Sequence, residues 1–426
     1  MILIIGAGLT GLSIARHLKD TDYRIVECEV SPGGLCRSHT VDGFTFDCTG
    51  HLLHLKHPFV VRDVKALLQD NLLRIKRNAA VYVFGRYVPY PFQANLYGLP
   101  LPVIRKCIKD FLTAPARRDV PLRHNNFKQW IYSQFGSAIA RYFFIPYNEK
   151  LWCRDLGKLT SSWASWAVPV PSIHEVLRAT LGVAATGLGY NASFYYPCRG
   201  GIQALVNALA RTVPKVETCC SVRSVNASRQ IVTFDNGQTL QYSQLIATIP
   251  LPDLLLKIDD APPWIRRAAK RLSWVSVYNI NIGINRQRVS PYHWIYFPEP
   301  DFPFYRVGCY SNLSPHMAPR NTSSLYLEIA LPQGAQIDQK SLFDASLNAL
   351  RRCGILQQGD QVIARHEEYI RCAYVIFDTA REHMLPRLVS YLNHHNIIPA
   401  GRYGTWTYSS MQDTLIQARR IARLLT

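Results

Sequence analysis

The chain opens with MILIIGAGLTGLSIARHLKDTDYRIVE, residues 1–27, and this stretch decides the fold. Residues 1–5 are apolar and predict a short buried strand, residues 12–18 predict a helix, and residues 23–27 predict a second strand. A strand, a helix and a second strand within so few residues form a βαβ unit. The sequence therefore predicts that the chain starts in a parallel sheet.

The glycines between the first strand and the helix, Gly6, Gly8 and Gly11, have the spacing G-x-G-x-x-G. The first glycine allows a tight turn, the second lets the backbone approach a pyrophosphate at the helix N-terminus, and the third lets helix and strand pack closely. Glu27 ends the second strand at the distance expected for a residue that binds a ribose hydroxyl. Together they indicate a dinucleotide site rather than an ordinary glycine-rich turn.

A second glycine pair follows in SPGGLCRS, residues 31–38, where Arg37 comes shortly after Gly33 and Gly34. This stretch resembles the GG-x-x-R-S/T signature of the superfamily that contains FAD-dependent amine oxidases, protoporphyrinogen oxidases and UDP-galactopyranose mutases. The resemblance implies that FAD is the dinucleotide, with its diphosphate against the second glycine turn and the arginine. The alternative is a loop with a solvated arginine.

Composition limits the classes of protein that fit. The 426 residues are 48% hydrophobic and 18% charged, which excludes a disordered chain, and 48 Lys and Arg against 29 Asp and Glu give a charge of 48 − 29 = +19. Such a charge favours an anionic partner. No stretch is apolar enough to span a bilayer, and the start lacks the basic region of a signal peptide. The eleven cysteines form no C-x-x-C pair, so we expect no disulfide framework, no metal site and a cytoplasmic location.

The remaining pattern predicts an α/β protein with a Rossmann-like FAD-binding domain built from discontinuous segments, an inserted helical domain and an inserted antiparallel-sheet substrate domain. Strands are expected at 217–225, 230–234, 244–248, 275–284 and 325–330, and helices at 102–112, 127–135 and 201–211. The predicted boundaries are 1–80, 196–255 and 385–426 for the FAD-binding domain, 81–195 for the mainly helical cap and 256–384 for the sheet domain.

The C-terminal region offers a second helix N-terminus. IPAGRYG at 398–404 contains Gly401 and Arg402, and SMQD at 410–413 contains Met411 and Asp413, ahead of a helix predicted over 414–425. A helix N-terminus stabilises the negative charge that a flavin acquires near N1 on reduction. We expect these residues, with Val222 of the extended segment 217–225, to bind the cofactor. A glycine turn followed by a basic amphipathic helix is the alternative.

Several further segments resemble UDP-galactopyranose mutases, particularly the eukaryotic branch, and together with the glycine and C-terminal motifs above the resemblance extends from Gly6 to Asp413. They are GHLLH at 50–54, VPYPFQ at 88–93, YNEKLW at 147–152, WIYFPE at 294–299, FYR at 304–306 and SN at 311–312. The resemblance implies that His51 lies against the flavin and that Arg306 holds a nucleotide-sugar diphosphate. It implies substrate contacts by Gln93, Tyr147, Trp152, Tyr296, Asn312 and Tyr374.

The sequence departs from the family pattern in one place. Mutases commonly carry a second diphosphate-binding arginine shortly after the Tyr/Trp motif, where this chain has Ala167. Arg178 is a candidate replacement, and a role on a helix surface is equally open for it. Diphosphate recognition is therefore only half matched.

The resemblance implies an isomerase that interconverts pyranose and furanose forms of a UDP-galactose-like sugar through an adduct at N5 of reduced FAD, in polysaccharide biosynthesis. The substrate would be an anionic nucleotide sugar, and NAD(P)H is a candidate external reductant. An FAD-dependent oxidase or desaturase, which would share every cofactor motif, is the alternative. A basic nucleic-acid-binding protein has only its charge in its favour, so no nucleic acid is expected as partner.

Overall fold

The computed structural model describes residues 1–18, 21–117, 126–164, 168–183, 185, 188–189 and 192–426. Its first sheet has four parallel strands, in the spatial order Ile397–Pro399, Gln244–Ala247, Ile2–Ile5 and Tyr23–Val26. All four residues of Ile2–Ile5 are buried, as expected for a central parallel strand that is covered on both faces. Segments that are far apart in the sequence therefore build one sheet, as the predicted discontinuous fold requires.

The helix after the first strand runs from Leu9 to His17, three residues earlier than predicted, because Gly8 caps it and the glycine turn supplies its first residues. Gly6 has a φ of +95°, which only glycine adopts without strain. A Cβ atom on Gly11 would overlap the carbonyl oxygen of Gly6. The glycine spacing therefore permits close contact between helix and strand.

A seven-stranded sheet forms the second large unit, and its pairs are antiparallel except for one. Its strands, in spatial order, are Val362–Val375, Trp274–Ile284, Ser323–Pro332, Arg306–Cys309, Trp294–Tyr296, Ala79–Val83 and Arg86–Pro89. The parallel pair joins Trp294–Tyr296 to Ala79–Val83. The last two strands lie at and just before the start of the segment predicted to be mainly helical, so the predicted boundary at residue 81 cuts through Ala79–Val83.

Helices of the inserted segment pack together around a core rich in aromatic side chains. They are Leu101–Leu112, Phe127–Ile139, the π-helix Ala140–Phe144, Ile145–Trp152 and Ile173–Thr180. The other helices of four residues or more are Pro58–Leu68, Gln203–Ala210, Leu251–Lys257, Pro263–Arg271, Gln339–Arg352, Thr379–His394, Gly401–Gly404 and Met411–Leu425. The C-terminal helix packs on the first helix, Leu9–His17.

Of the extended segments predicted at 217–225 and 230–234, only the start of the first meets the parallel sheet, where Glu217 forms a single parallel bridge with Val26. Val222–Asn226, Ile231–Phe234 and Thr239–Gln241 form a separate antiparallel sheet of three strands. Of the late segments, Gln244–Ala247 is the one that pairs with the first strand. Alternation predicts a strand but not its partner, which explains this difference.

Two antiparallel pairs complete the described strands, the hairpin of Ser38–Val41 with Phe44–Asp47 and the long-range pair of Leu72–Lys76 with Ser193–Pro197. Among the described residues, no helix combines the length and the apolar character needed to cross a membrane.

Candidate active site

A cavity of about 980 Å³ runs from the glycine turns to one face of the seven-stranded sheet. Small-molecule sites typically measure about 300–1,000 Å³, so this cavity has room for a ligand of dinucleotide size. Fourteen of the sequence-predicted site residues line it: Gly6, Gly8, Glu27, Gly33, Gly34, Arg37, His51, Val222, Tyr296, Arg306, Tyr374, Arg402, Met411 and Asp413.

The glycine end of the cavity is built from two turns that lie side by side. The backbone N–H of Gly33 donates to the carbonyl of Ala7 at 3.0 Å, which places Gly8 beside Gly33 and Gly34. A Cβ atom on Gly8 would lie 3.7 Å from the nearest protein atom, the Cα of Gly34, so the protein itself does not require glycine there. A ligand that approaches the backbone closely would require it, as FAD diphosphate does.

The acidic end of the second strand is fixed beside this turn. Glu27 is buried, and its carboxylate accepts from the backbone N–H of Ala7 at 2.8 Å and of Glu29 at 3.1 Å. Arg37 donates to the carbonyl of Ser31 at 3.0 Å and so holds the second glycine loop. These contacts leave the carboxylate at the cavity wall, where a ribose hydroxyl could meet it.

Two helices point their N-termini at the cavity, Leu9–His17 and Met411–Leu425. The second helix starts three residues earlier than predicted, because Ser410 and Asp413 form a capping box. Gly401 does not line the cavity. Its φ of +73° and the lack of room for a Cβ atom against Thr10 explain why glycine stands there. The two helix ends provide N–H donors and positive dipole ends for an anionic cofactor.

The far end of the cavity is organised by a buried ion pair. Arg306 donates from Nε and Nη2 to the two carboxylate oxygens of Glu328, each at 2.6 Å. The Glu328 side chain is 0% exposed and also accepts from the backbone N–H of Gly50 at 3.3 Å. Two of the nitrogens of Arg306 are therefore committed to the pair, and its Nη1 is left for a ligand.

Arg402 is the second arginine at this end, and it has no carboxylate partner within the described residues. Its Nη2 donates to the carbonyl of Ala373 at 3.0 Å, and its guanidinium lies over the rings of Tyr374 and Tyr408, at 5.3 and 4.6 Å from their centroids. Its Nε is buried without a hydrogen-bond partner. Arg306 and Glu328 neutralise each other, so Arg402 is the arginine at this end whose charge is not balanced by a carboxylate in contact with it within the described residues.

Tyrosines form the walls between the two arginines. The hydroxyls of Tyr305 and Tyr374 lie 3.2 Å apart, and burial raises the pKa of Tyr374 to about 12. Tyr296 completes this wall. Since the Tyr374 hydroxyl stays protonated at neutral pH, it can donate to a sugar or phosphate oxygen.

His51 follows the loop that Glu328 holds. Burial lowers the pKa of His51 to about 4, and its Nδ1 lies 3.4 Å from the hydroxyl of Thr49. The imidazole is therefore neutral at pH 7. This protonation state favours a role in shaping the cavity over general acid catalysis at neutral pH.

Four predicted substrate residues do not line the cavity. Tyr147 lies behind the wall, in edge-to-face contact with Tyr296 at 5.4 Å, and Trp152 is buried with its N–H directed to Asn148. Gln93 is buried and donates to the carbonyl of Pro169, and Asn312 donates to two backbone carbonyls. Their contacts support the walls from behind rather than placing them against a ligand.

The region of the missing arginine is only partly described. Ala167 lies outside the described residues, and Arg178 is exposed on the helix Ile173–Thr180 and does not line the cavity.

Two residues at this end of the cavity, Glu328 and Tyr305, were not predicted from the sequence as site residues. Glu328 carried a usable signal, because an acid inside the apolar run LYLEIAL must be buried with a partner.

The fold and site define a flavoprotein of a known class. The family model of the flavin containing amine oxidoreductases matches residues 9–426, so the chain belongs to this family, and the family implies FAD. The glycine cradle and the two helix ends described above fit that cofactor.

Comparison with solved structures shows which proteins of this fold the chain resembles. A crystal structure of reduced UDP-galactopyranose mutase is 27% identical and superposes with a TM-score of 0.93, covering 100% of this chain and 93% of that chain. A protein assigned as a protoporphyrinogen oxidase, from Exiguobacterium sp. 255-15, is 15% identical with a TM-score of 0.76, covering 100% and 98% of the two chains. A putrescine oxidase variant is 16% identical with a TM-score of 0.67, covering 100% and 98%. The last two show the fold alone.

Two glycine substitutions should separate cofactor binding from folding. Gly8→Val is expected to fold and lose FAD, because its Cβ would make only ordinary contacts with the protein, 3.7 Å or more, while the side chain fills the cradle. Gly11→Val should destabilise the protein by about 3 kcal/mol or more, because its Cβ would overlap the Gly6 carbonyl. Flavin absorbance and circular dichroism measure the two effects. A yellow, FAD-saturated Gly8→Val protein would contradict the cradle.

The ion pair should behave as one unit. Arg306→Met is expected to lower the free energy of unfolding by about 3–5 kcal/mol, because it leaves the Glu328 carboxylate buried and unpaired. Adding Glu328→Gln should restore most of that loss. Urea unfolding measures both, and Lys128→Met, which removes an exposed pair with Asp155, should cost less than about 1 kcal/mol. A double variant as unstable as Arg306→Met would show that the two side chains are not coupled.

The lowered pKa of His51 predicts a pH dependence of stability. The unfolded chain binds a proton on this residue below about pH 6.5, whereas the folded protein does so only near pH 4, so stability falls as the pH drops through this window. Between pH 7 and pH 5 the contribution is about 2 kcal/mol. His51→Gln should reduce the difference in free energy of unfolding by that amount, and His316→Gln, at an exposed site, should not. Equal pH dependence in wild type and His51→Gln would refute the assignment.

Proposed function

We propose that this protein is an FAD-dependent nucleotide-sugar mutase, which interconverts the pyranose and furanose forms of a UDP-galactose-like sugar with FAD in its reduced form. The observation that carries the proposal is the arginine and tyrosine end of the cavity, beside a flavin cradle, in a chain that matches reduced UDP-galactopyranose mutase over its whole length. The proposal also includes NAD(P)H as the external reductant of the FAD and the cytoplasm as the location of the protein.

Charge supports a nucleotide sugar over an amine. Glu328 is already paired with Arg306, and Arg402 adds a positive charge that no carboxylate among the described residues contacts. An amine substrate arrives as a cation and would be repelled at this end, whereas a diphosphate would be attracted. The charge of +19 over the whole chain would act in the same direction on an approaching dianion.

Reduced FAD, when bound, supplies the nucleophile that a ring interconversion without net redox needs. The chain's own residues do the remaining work. Arg306, oriented by Glu328, presents Nη1 to a diphosphate oxygen and stabilises the departing UDP. Tyr305 and Tyr374 hold the sugar side of the cavity and limit access of water. The neutral imidazole of His51 packs beside the cofactor cradle.

The oxidation state of the flavin tests the proposal. Dithionite-reduced enzyme is expected to convert UDP-galactofuranose to UDP-galactopyranose, measured by chromatography, with no electrons consumed per turnover. Oxidised enzyme should be inactive, because oxidised flavin is not a nucleophile. The Gly8→Val variant is the matched control, since a protein without FAD should be inactive under both conditions.

Because the chain belongs to the flavin containing amine oxidoreductase family, an FAD-dependent oxidase is the function that competes with the mutase proposal. If oxidised enzyme turned over an amine or a hydrophobic ring substrate and released one peroxide per turnover, while reduced enzyme left nucleotide sugars unchanged, the protein would be an oxidase. Reduced enzyme should also be tested with GDP and dTDP sugars. Activity on one of them would show that the nucleobase or sugar was wrongly chosen, whereas no activity on any would contradict the mutase proposal itself.

A further inference from the structure

Three side chains that can ligate a metal ion meet beside the cavity and take no part in the proposed function. They are His39, Cys48 and Glu368, and their ligand atoms all lie within 4.8 Å of one another. Nε2 of His39 is 3.9 Å from Oε2 of Glu368. Cys48 is fully buried, and Glu368 lies on the cavity wall.

The cluster comes from separate parts of the chain. His39 belongs to the strand Ser38–Val41, and Cys48 directly follows its partner strand Phe44–Asp47. Glu368 belongs to the long strand Val362–Val375 of the seven-stranded sheet. The hairpin packs on this strand, which brings the three side chains together.

Two atoms of the cluster have no partner outside it. Nε2 of His39 and Oε2 of Glu368 are both buried, and within the described part of the chain their contacts are with the side chains of the cluster itself. A buried polar atom without a partner costs about 1–3 kcal/mol, and more where it is charged. Both atoms point to the same small space as the Cys48 sulfur, so one ligand could satisfy them together.

We propose that His39, Cys48 and Glu368 form a binding site for a divalent ion of the zinc type. Imidazole nitrogen, thiolate sulfur and carboxylate oxygen are the donors that zinc takes in proteins. One thiolate and one carboxylate balance the two positive charges, so the occupied cluster is neutral and suited to a buried place. Three protein ligands leave a fourth position for water or another ligand.

The geometry needs only a small adjustment. Bond lengths of about 2.0–2.3 Å place tetrahedral ligand atoms roughly 3.3–3.7 Å apart, so the cluster must contract by about 1 Å. His39 and Glu368 have side chains that are 38% and 27% exposed, which leaves them room to move. The ring of His366 stacks on His39 with centroids 4.3 Å apart and would hold the imidazole in place.

Such an ion would join the hairpin that follows the cofactor-binding loop to the substrate sheet. The site does not depend on the proposed mutase function, because none of its three ligands is assigned to substrate. The sequence predicted no metal site, since the ligands are 9 and 320 residues apart and form no recognisable motif.

Zinc binding by the FAD-loaded full chain, without an affinity tag, tests the site. After removal of metal with EDTA, equilibrium dialysis against Zn²⁺ with mass-spectrometric metal analysis should give one zinc per chain. Cys48→Ala, His39→Ala and Glu368→Gln should each weaken binding at least tenfold. Cys353→Ala, another buried cysteine, and His316→Ala should leave it unchanged, which controls for zinc held by other thiols and imidazoles.

Cobalt gives a second readout that identifies the sulfur ligand. Co²⁺ added to the metal-free protein should produce a thiolate-to-metal absorption band in a difference spectrum, absent in Cys48→Ala. Flavin content and circular dichroism establish that each variant is folded, and Glu368→Gln carries the test if Cys48→Ala fails to fold. Zinc bound no more tightly by wild type than by Glu368→Gln, or an unchanged cobalt band in folded Cys48→Ala, would overturn the proposal.

Discussion

Arg306 and Glu328 face each other on adjacent strands of the seven-stranded sheet, and their ion pair connects three parts of the molecule. It fixes the arginine on the cavity wall, it holds two neighbouring strands in register, and through the N–H of Gly50 it holds the loop that carries His51. A buried pair of this kind adds little net stability compared with an apolar substitute, yet breaking it is costly. Its value to the protein is geometric, because it positions the end of the cavity where substrate would react.

Local sequence signals predicted the two glycine turns and the helices that begin at this end of the cavity. Gly6, Gly8 and Gly11 act within a few residues of each other, so their spacing alone indicates the turn and the close helix packing. The first helix begins three residues earlier than predicted, because the residues of the glycine turn form its first turn. The same is true at the C-terminus, where the capping box of Ser410 and Asp413 starts the helix earlier than apolar periodicity suggested.

Long-range pairing explains what the sequence could not predict. The strand around residue 222 was recognisable, but its partners in a separate small sheet were not, because alternation carries no information on pairing. Trp152 matched a family motif in sequence, yet its ring lies in the core behind Tyr374. Glu328 was recognisable as a buried acid, whereas its partner 22 residues away depended on strand register. The cluster of His39, Cys48 and Glu368 depends on tertiary packing entirely.

The two ends of the cavity use different physical means to bind anions. The glycine end offers N–H groups and helix dipoles, which bind a diphosphate without burying an ionised side chain. The opposite end offers full charges: Glu328 is neutralised by Arg306, and Arg402 adds a positive charge that no carboxylate among the described residues contacts. A family that keeps the first end can therefore change its substrate by changing a few charges at the second. An amine oxidase needs a site that tolerates a cationic substrate. In this chain the guanidinium of Arg402 lies against the tyrosine wall, and its positive charge disfavours such a substrate.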